Sequence, residues 1–252
     1  MTRGWLMIST LTLMLLSPHG SGAVESKEMP PPRAVVPRAT GKVVIDGRLD
    51  EPDWKRVPRV EPFLRYDGAP WGNVVDARLL WDETAFYLGV VIQDSDVWSE
   101  WRHHDDPLYK GDCFEWYLSP FPAGKPYVEL EFNPYNAVLD IFLTDNPRQG
   151  GLSLWDWDAK GMRHAVTVQG TLGKVGGVAG WTLEVALPWA ALRFAHSVPP
   201  KAGDRMRGTL IYYNHPHRDA TIEHRQWAPS YDEGWPHHPE RFGTFEFAGT
   251  PR

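Results

Sequence analysis

The feature that most constrains this chain is a set of short runs in which apolar and polar residues alternate with period two. Val128, Leu130 and Phe132 interleave with Glu129, Glu131 and Asn133. Trp181, Leu183, Val185 and Leu187 interleave with Thr182, Glu184 and Ala186. Successive side chains of a strand point to opposite faces, so each run buries one face and turns the other to solvent or a ligand. Such runs are read over residues 42–45, 74–81, 85–92, 113–118, 127–133, 138–143, 164–168, 181–187, 208–214 and 242–247, with Gly, Pro, Asn and Asp between them. Residues 81–85 read as a hairpin connection. Helical signal is confined to one turn at 188–192, opened by Pro188. The pattern predicts an all-β fold, a two-sheet antiparallel β-sandwich with very little helix.

The sequence ahead of these runs has a different character. Arg3, the apolar run from Trp5 to Leu16 and the small residues Ser21, Gly22 and Ala23 read as a secretory signal over 1–23. That run falls short of the roughly 20 residues a membrane span needs. Residues 24–40 carry Pro30, Pro31, Pro32 and Pro37 and read as an extended tether, followed by one domain over 41–249. The expected location is secreted or periplasmic. The lone cysteine, Cys113, excludes an intrachain disulfide framework and cysteine-built zinc or redox centres. A formal charge of −6 argues against a nucleic-acid partner, and 13 tryptophans argue against disorder.

No nucleophile elbow, P-loop, dinucleotide fingerprint or HExxH motif occurs. Glu115, Glu129, Glu131 and Glu184 sit mid-strand, whereas a glycosidase needs two carboxylates facing across a sugar. They read as sheet-face charges, and no enzyme is expected. His103-His104 and His237-His238 are adjacent pairs, and His215 and His217 flank Pro216, which places them in a loop rather than on one strand face. Trp54, Trp81, Trp116 and Trp181 read as core. Trp98, Trp101, Tyr109 and Trp235 lie instead in polar, turn-rich stretches. Rings placed this way offer flat faces to the C–H faces of a pyranose, with polar neighbours for its hydroxyls. The acidic loop 94–112, with Asp94, Asp96, Asp105, Asp106 and Asp112, reads equally as a calcium loop or a solvated one.

The ordered set formed by the Val44-Ile45-Asp46-Gly47 segment with Trp54, Leu80-Trp81-Asp82, Asp112-Cys113-Phe114-Glu115-Trp116, Gly180-Trp181-Thr182-Leu183-Glu184 with Pro188-Trp189, and Pro239-Glu240-Arg241-Phe242-Gly243 resembles the family 9 carbohydrate-binding modules. The resemblance covers 41–249. It implies a DOMON-like, jelly-roll-type sandwich in which two rings hold the terminal sugar of a glycan, often its reducing end, and calcium supports the structure. Carried over by position, the rings are Tyr109, where the family typically has Trp, and Trp235. Glu115, Asn133 and Asn214 stand where sugar partners are expected, and Asp94 and Asp112 at the calcium loop. Glu131 stands where a basic residue is expected and Tyr212 where an amide is, so this site exchanges donors for acceptors. The expected function is an exported, non-catalytic protein binding an oligo- or polysaccharide. Two alternatives are a b-type haem domain, using Met162, Met206 or loop histidines, and a binding subunit of an envelope glycan-processing complex. Haem is the less expected, because no axial pair is evident.

Overall fold

The computed structural model describes residues 28–72, 74–174, 176–216 and 222–249. The expected signal segment and His217 lie outside them. Thirteen strands form two sheets among the described residues. The larger joins β1 (Arg33–Val36), β13 (Gly243–Phe247), β11 (Arg205–Asn214), β5 (Cys113–Ser119), β6 (Tyr127–Phe132), β7 (Val138–Leu143) and β8 (Ser153–Leu154), in that order. An eighth strand, β12 (Glu223–Gln226), pairs with the C-terminal half of β11. The smaller sheet runs β2 (Arg59–Val60), β3 (Val75–Trp81), β4 (Ala85–Ile92), β10 (Val178–Pro188), β9 (Arg163–Gly170). One short helix, α1 (Pro52–Arg56), and a few 3-10 turns complete the described elements.

The expected sandwich is therefore the fold, and the hairpin read at 81–85 joins β3 to β4, with Trp81 opposite Phe86. The core lies between the sheets. Phe86 sits at its centre, edge-on to Trp116 (4.8 Å) and Phe245 (5.9 Å) and stacked on Trp189 (5.7 Å), inside a layer of fully buried Leu and Val side chains from both sheets. Edge-on pairs of this kind favour the ring quadrupoles and add to the burial of their area.

Two expectations change. The stretch 24–40, read as a tether, contributes a strand: β1 runs parallel to β13, burying Ala34 and Val36 and exposing Arg33 and Val35. Its period-two pattern was masked by the flanking prolines, and its pairing makes the sheets antiparallel everywhere except at this edge. Residues 42–45 alternate like a strand but pair with none. Their stretch belongs to a segment over 39–57 that lies on the outer face of the smaller sheet, packing Val43 and Trp54 against Leu80, Tyr87 and Ala186. Carboxylates take the backbone N–H groups of this segment in place of a neighbouring strand: Glu51 accepts from Val44, and Asp53 accepts from Thr40 and Gly41.

Candidate functional site

Period-two alternation, applied to the larger sheet, sets one row of side chains into the core and the other onto the outer face. On β5 the outward row is Cys113, Glu115 and Tyr117; on β6 it is Tyr127, Glu129 and Glu131. The β5–β6 register puts Glu115 directly opposite Glu131, and Tyr117 opposite Glu129. Leu139, Ile141 and Leu143 of β7 and Ile211 and Tyr213 of β11 share that face and form a second apolar cluster with Phe242. A cavity of about 430 Å³ opens on it. Its floor is Glu115, Glu129, Glu131, Ile141, Leu143 and Tyr213. Three loops and β12 supply its walls: the loops give Tyr109, then Arg148 and Trp155, then Trp235 and His237, and β12 gives His224.

The floor is acidic and dry. Glu115, Glu129 and Glu131 are all buried. Tyr117 donates its hydroxyl to Oε1 of Glu129 at 3.1 Å, while Oε2 of Glu115 and Oε2 of Glu131 have no hydrogen-bond partner. Loss of water raises the pKa of all three, because the charged form of a buried carboxyl is the one penalised. Burial pushes Glu129 up to about 7. Glu115 and Glu131 stand well above the ordinary carboxylate range, by burial first and then by neighbouring charge, that of Glu129 for Glu115 and those of Glu115 and Glu129 for Glu131. Two imidazoles in the wall are also desolvated. Burial drives His224 down to about 4, and burial with the charges of His238 and Arg148 drives His237 down to about 3, so both are neutral at pH 7. Tyr127 hydroxyl lies 2.9 Å from Nδ1 of His237. Nε2 of His224, whose ring packs 4.1 Å from Tyr213, has no partner.

The wall is aromatic. Trp235 is half-buried, anchored by its indole N–H to Oδ1 of Asn146 at 3.1 Å, with the Arg148 guanidinium 4.0 Å over the ring. Tyr109 is half-buried against the second apolar cluster, and Trp155 is exposed. Flat apolar faces above a floor of hydrogen-bond acceptors suit a small ligand rich in donors. The floor carboxylates stand side by side on adjacent strands and approach a ligand from one side. Glu184, the other mid-strand carboxylate, is on the smaller sheet, where its oxygens accept from Asp46, Gly47 and Arg48 N–H and the Trp54 indole. No carboxylate pair facing across a bound sugar is formed among the described residues.

Of the site residues expected from the sequence, the structure brings Tyr109, Trp235, Glu115 and Glu131 into this one cavity. It places the other three elsewhere. Asn133 is consumed in its own turn: Oδ1 accepts from Tyr135 and Ala137 N–H, and Nδ2 donates to Ser99 Oγ and Trp101 carbonyl. Tyr212 points from β11 into the core, near Trp181, and donates its hydroxyl to Asp94. Asn214, on the same side of β11 as Tyr212, donates to Glu223. Among the cavity residues the sequence reading missed are Tyr213, one position from Tyr212, His224 of β12, and the loop residues Arg148, Trp155 and His237. The two residues expected at a calcium loop make hydrogen bonds within the chain. Asp112 accepts from Trp98 and His215 N–H, one on each oxygen, and Asp94 accepts from Asp96 N–H and the Tyr212 hydroxyl. These two carboxylates link the stretch 94–112 to β11 and to His215, which follows it. Met206 is in the core, Met162 packs against it, and neither lines the cavity.

A model of the carbohydrate family 9 binding domain-like family matches residues 45–250. Solved structures share the fold. A Bacteroides uniformis protein provisionally described as carbohydrate-binding superposes with a TM-score of 0.65 at 18% identity, over 86% of this chain and 99% of that one. A family 9 carbohydrate-binding module from Caldicellulosiruptor kristjanssonii, solved with cellotriose, gives 0.59 at 16% identity, over 87% and 95%. The same source's module solved with glucose gives 0.58 at 17%, over 87% and 97%. No curated protein matches the chain.

Proposed function

Because this chain belongs to the carbohydrate family 9 binding domain-like family, we propose that it is an exported, non-catalytic protein that captures a saccharide in the cavity on the outer face of its larger sheet. The observation that carries the reading is the meeting of Tyr109 and Trp235, brought from loops 126 residues apart, over the in-register pair Glu115 and Glu131. The rings supply faces for a pyranose, and the carboxyls orient its hydroxyls. Relatives of this fold solved with cellotriose and glucose support the ligand class. Residues 1–23 are the export signal in this reading, and the partner is a saccharide end, presented alone or to an envelope glycan-processing enzyme.

With 13 tryptophans the protein reports on its own site. Intrinsic fluorescence of the full chain, titrated with neutral and amino oligosaccharides and their borohydride-reduced forms, should shift for intact sugars and not for reduced ones. Truncating Tyr109 or Trp235 to Ala should weaken binding by about 1–3 kcal/mol, the value of the ring area a sugar would cover. A flat response across the panel, or binding untouched by both truncations, overturns the assignment.

A further inference from the structure

The cavity floor presents an imbalance that a neutral sugar does not resolve. Three carboxyl groups converge on it, two with an oxygen that is buried and unpartnered. Among the described residues no Lys or Arg lies within ion-pair distance of any of the three; the basic side chain that does is His237, 3.9 Å from Glu129, and burial keeps it neutral. Arg148, the one guanidinium on the wall among the described residues, is turned to Asp232 at 3.6 Å and to the Trp235 ring. Uncompensated acidic groups out of water are costly unless something positive joins them. The walls fit such an occupant as well, since Tyr and Trp faces attract cations through the ring quadrupole.

Resting on the saccharide reading above, we propose that the preferred ligand carries a protonated amine: an amino sugar whose ammonium group sits between Oε2 of Glu115 and Oε2 of Glu131, with its ring against Tyr109 and Trp235. An ammonium offers three donors and no acceptor, which is the complement of two orphaned carboxylate oxygens. A hydroxyl offers one donor and brings lone pairs toward the same oxygens. The protonation of the floor agrees with this. Groups held above the usual carboxylate range keep protons near neutrality, so an incoming ammonium drives their release, and binding should strengthen as pH rises from 5 to 7. A divalent metal is the competing cation, because Cys113 Sγ, Glu115 and Glu131 offer ligand atoms within 4.8 Å of one another. However, burial and the surrounding carboxylates push the Cys113 thiol up, away from the thiolate a metal needs, and Cys113 does not line the cavity.

The test is calorimetric titration of the full chain at pH 7 with three trimers: β-1,4-linked glucosamine, its fully N-acetylated form, and cellotriose. We expect the amino trimer to bind at least tenfold tighter than either neutral one, with protons released on binding. Glu131→Gln and Glu115→Gln, each checked for folding by thermal melting, should shrink that preference to threefold or less. The wild-type comparison stands by itself if a variant does not fold. Equal affinity for the three trimers, or a preference for cellotriose, overturns the ammonium inference and leaves the saccharide reading intact. Failure of all three overturns both. Stoichiometric zinc binding that is lost in Cys113→Ser and blocks the amino trimer assigns the floor to a metal and also overturns the inference.

Discussion

The two outer faces of the sandwich each carry buried mid-strand carboxyl groups, and they differ in what those groups are given to bind. On the smaller sheet, Glu184 of β10 lies beneath the segment 39–57. Its two oxygens accept three backbone N–H groups and the Trp54 indole, and Leu49 presses on Gly89 of β4, where a Cβ would come within 2.7 Å of it. On the larger sheet, Glu115 and Glu131 stand at equally buried positions, yet an oxygen of each has no donor and the face opens into a cavity. Glu184 is a fastener: its partners are in the chain, so the face is closed. The floor of the cavity lacks those partners among the described residues, and a partner from outside is the economical way to supply them. Burial alone would not have separated the two cases; the count of donors does.

The largest effect should come from breaking the fastener. Glu184→Ala strands the Trp54 N–H and three backbone donors, and buried donors left unmade cost the full desolvation of each group. A loss of about 3 kcal/mol in denaturant unfolding is expected. Glu131→Gln removes a desolvated acid with an unmet oxygen and should stay within about 1 kcal/mol of wild type. If the two variants unfold at the same denaturant concentration, the distinction between the faces is gone.

A smaller effect lies in pH. A carboxyl whose pKa is raised on folding binds extra protons in the folded state, so its contribution falls as pH rises from its unfolded value to its folded one. For Glu129 that window runs from 4.5 to about 7. His224 and His237 act in the opposite sense. Their pKa is lowered on folding, so they favour the folded state increasingly as pH rises toward 6.5. The two trends oppose each other in the wild type. Glu129→Gln keeps the histidines and Glu184, and Gln can still accept from Tyr117, so the difference between variant and wild type reports the floor carboxyls, Glu129 and the two that its charge raises, apart from the histidines. That difference should move in the variant's favour between pH 5 and 8 by on the order of 1 kcal/mol, the value of one pKa unit. Parallel melting curves across that range would show that the floor is not desolvated.

How much of this was legible in the sequence depended on whether a strand had one buried face or two. On β6, Glu129 and Glu131 alternate with Val128 and Leu130, so period two assigned the faces correctly, and the carboxyls were on the page from the start. On β11, residues 210–213 are apolar or aromatic at every position, because the core covers one face and the second cluster the other. Alternation is then silent, and position matching chose Tyr212 and Asn214 when the cavity face carries Tyr213. For Asn133 a signal existed: an Asn before Pro134 is a turn-former whose side chain serves its own backbone. His224, His237 and Arg148 had none, since they reach the cavity on β12 and on two long loops from distant parts of the sequence. The strand β1 was hidden by composition, four residues between prolines in a stretch that reads as a spacer.

The smallest effect tests the face assignment on β11 directly. Tyr212 and Tyr213 are adjacent in sequence, and both are buried. Tyr212→Phe removes one hydroxyl that donates to Asp94 Oδ2 at 2.6 Å, near the clamp that Asp112 makes between two loops. A cost of about 1 kcal/mol to folding follows, the ordinary net value of such a bond, with saccharide affinity unchanged because the group faces the core. Tyr213→Phe alters a side chain on the cavity floor beside Glu115 and His224, and should shift affinity at least as much as stability. The two variants differ by one position and by nothing in chemistry, so whichever lowers affinity names the face that meets the ligand. Weaker binding in Tyr212→Phe with Tyr213→Phe unaffected would put the site on the other side of the strand, and with it the whole account of the unpaired carboxyls.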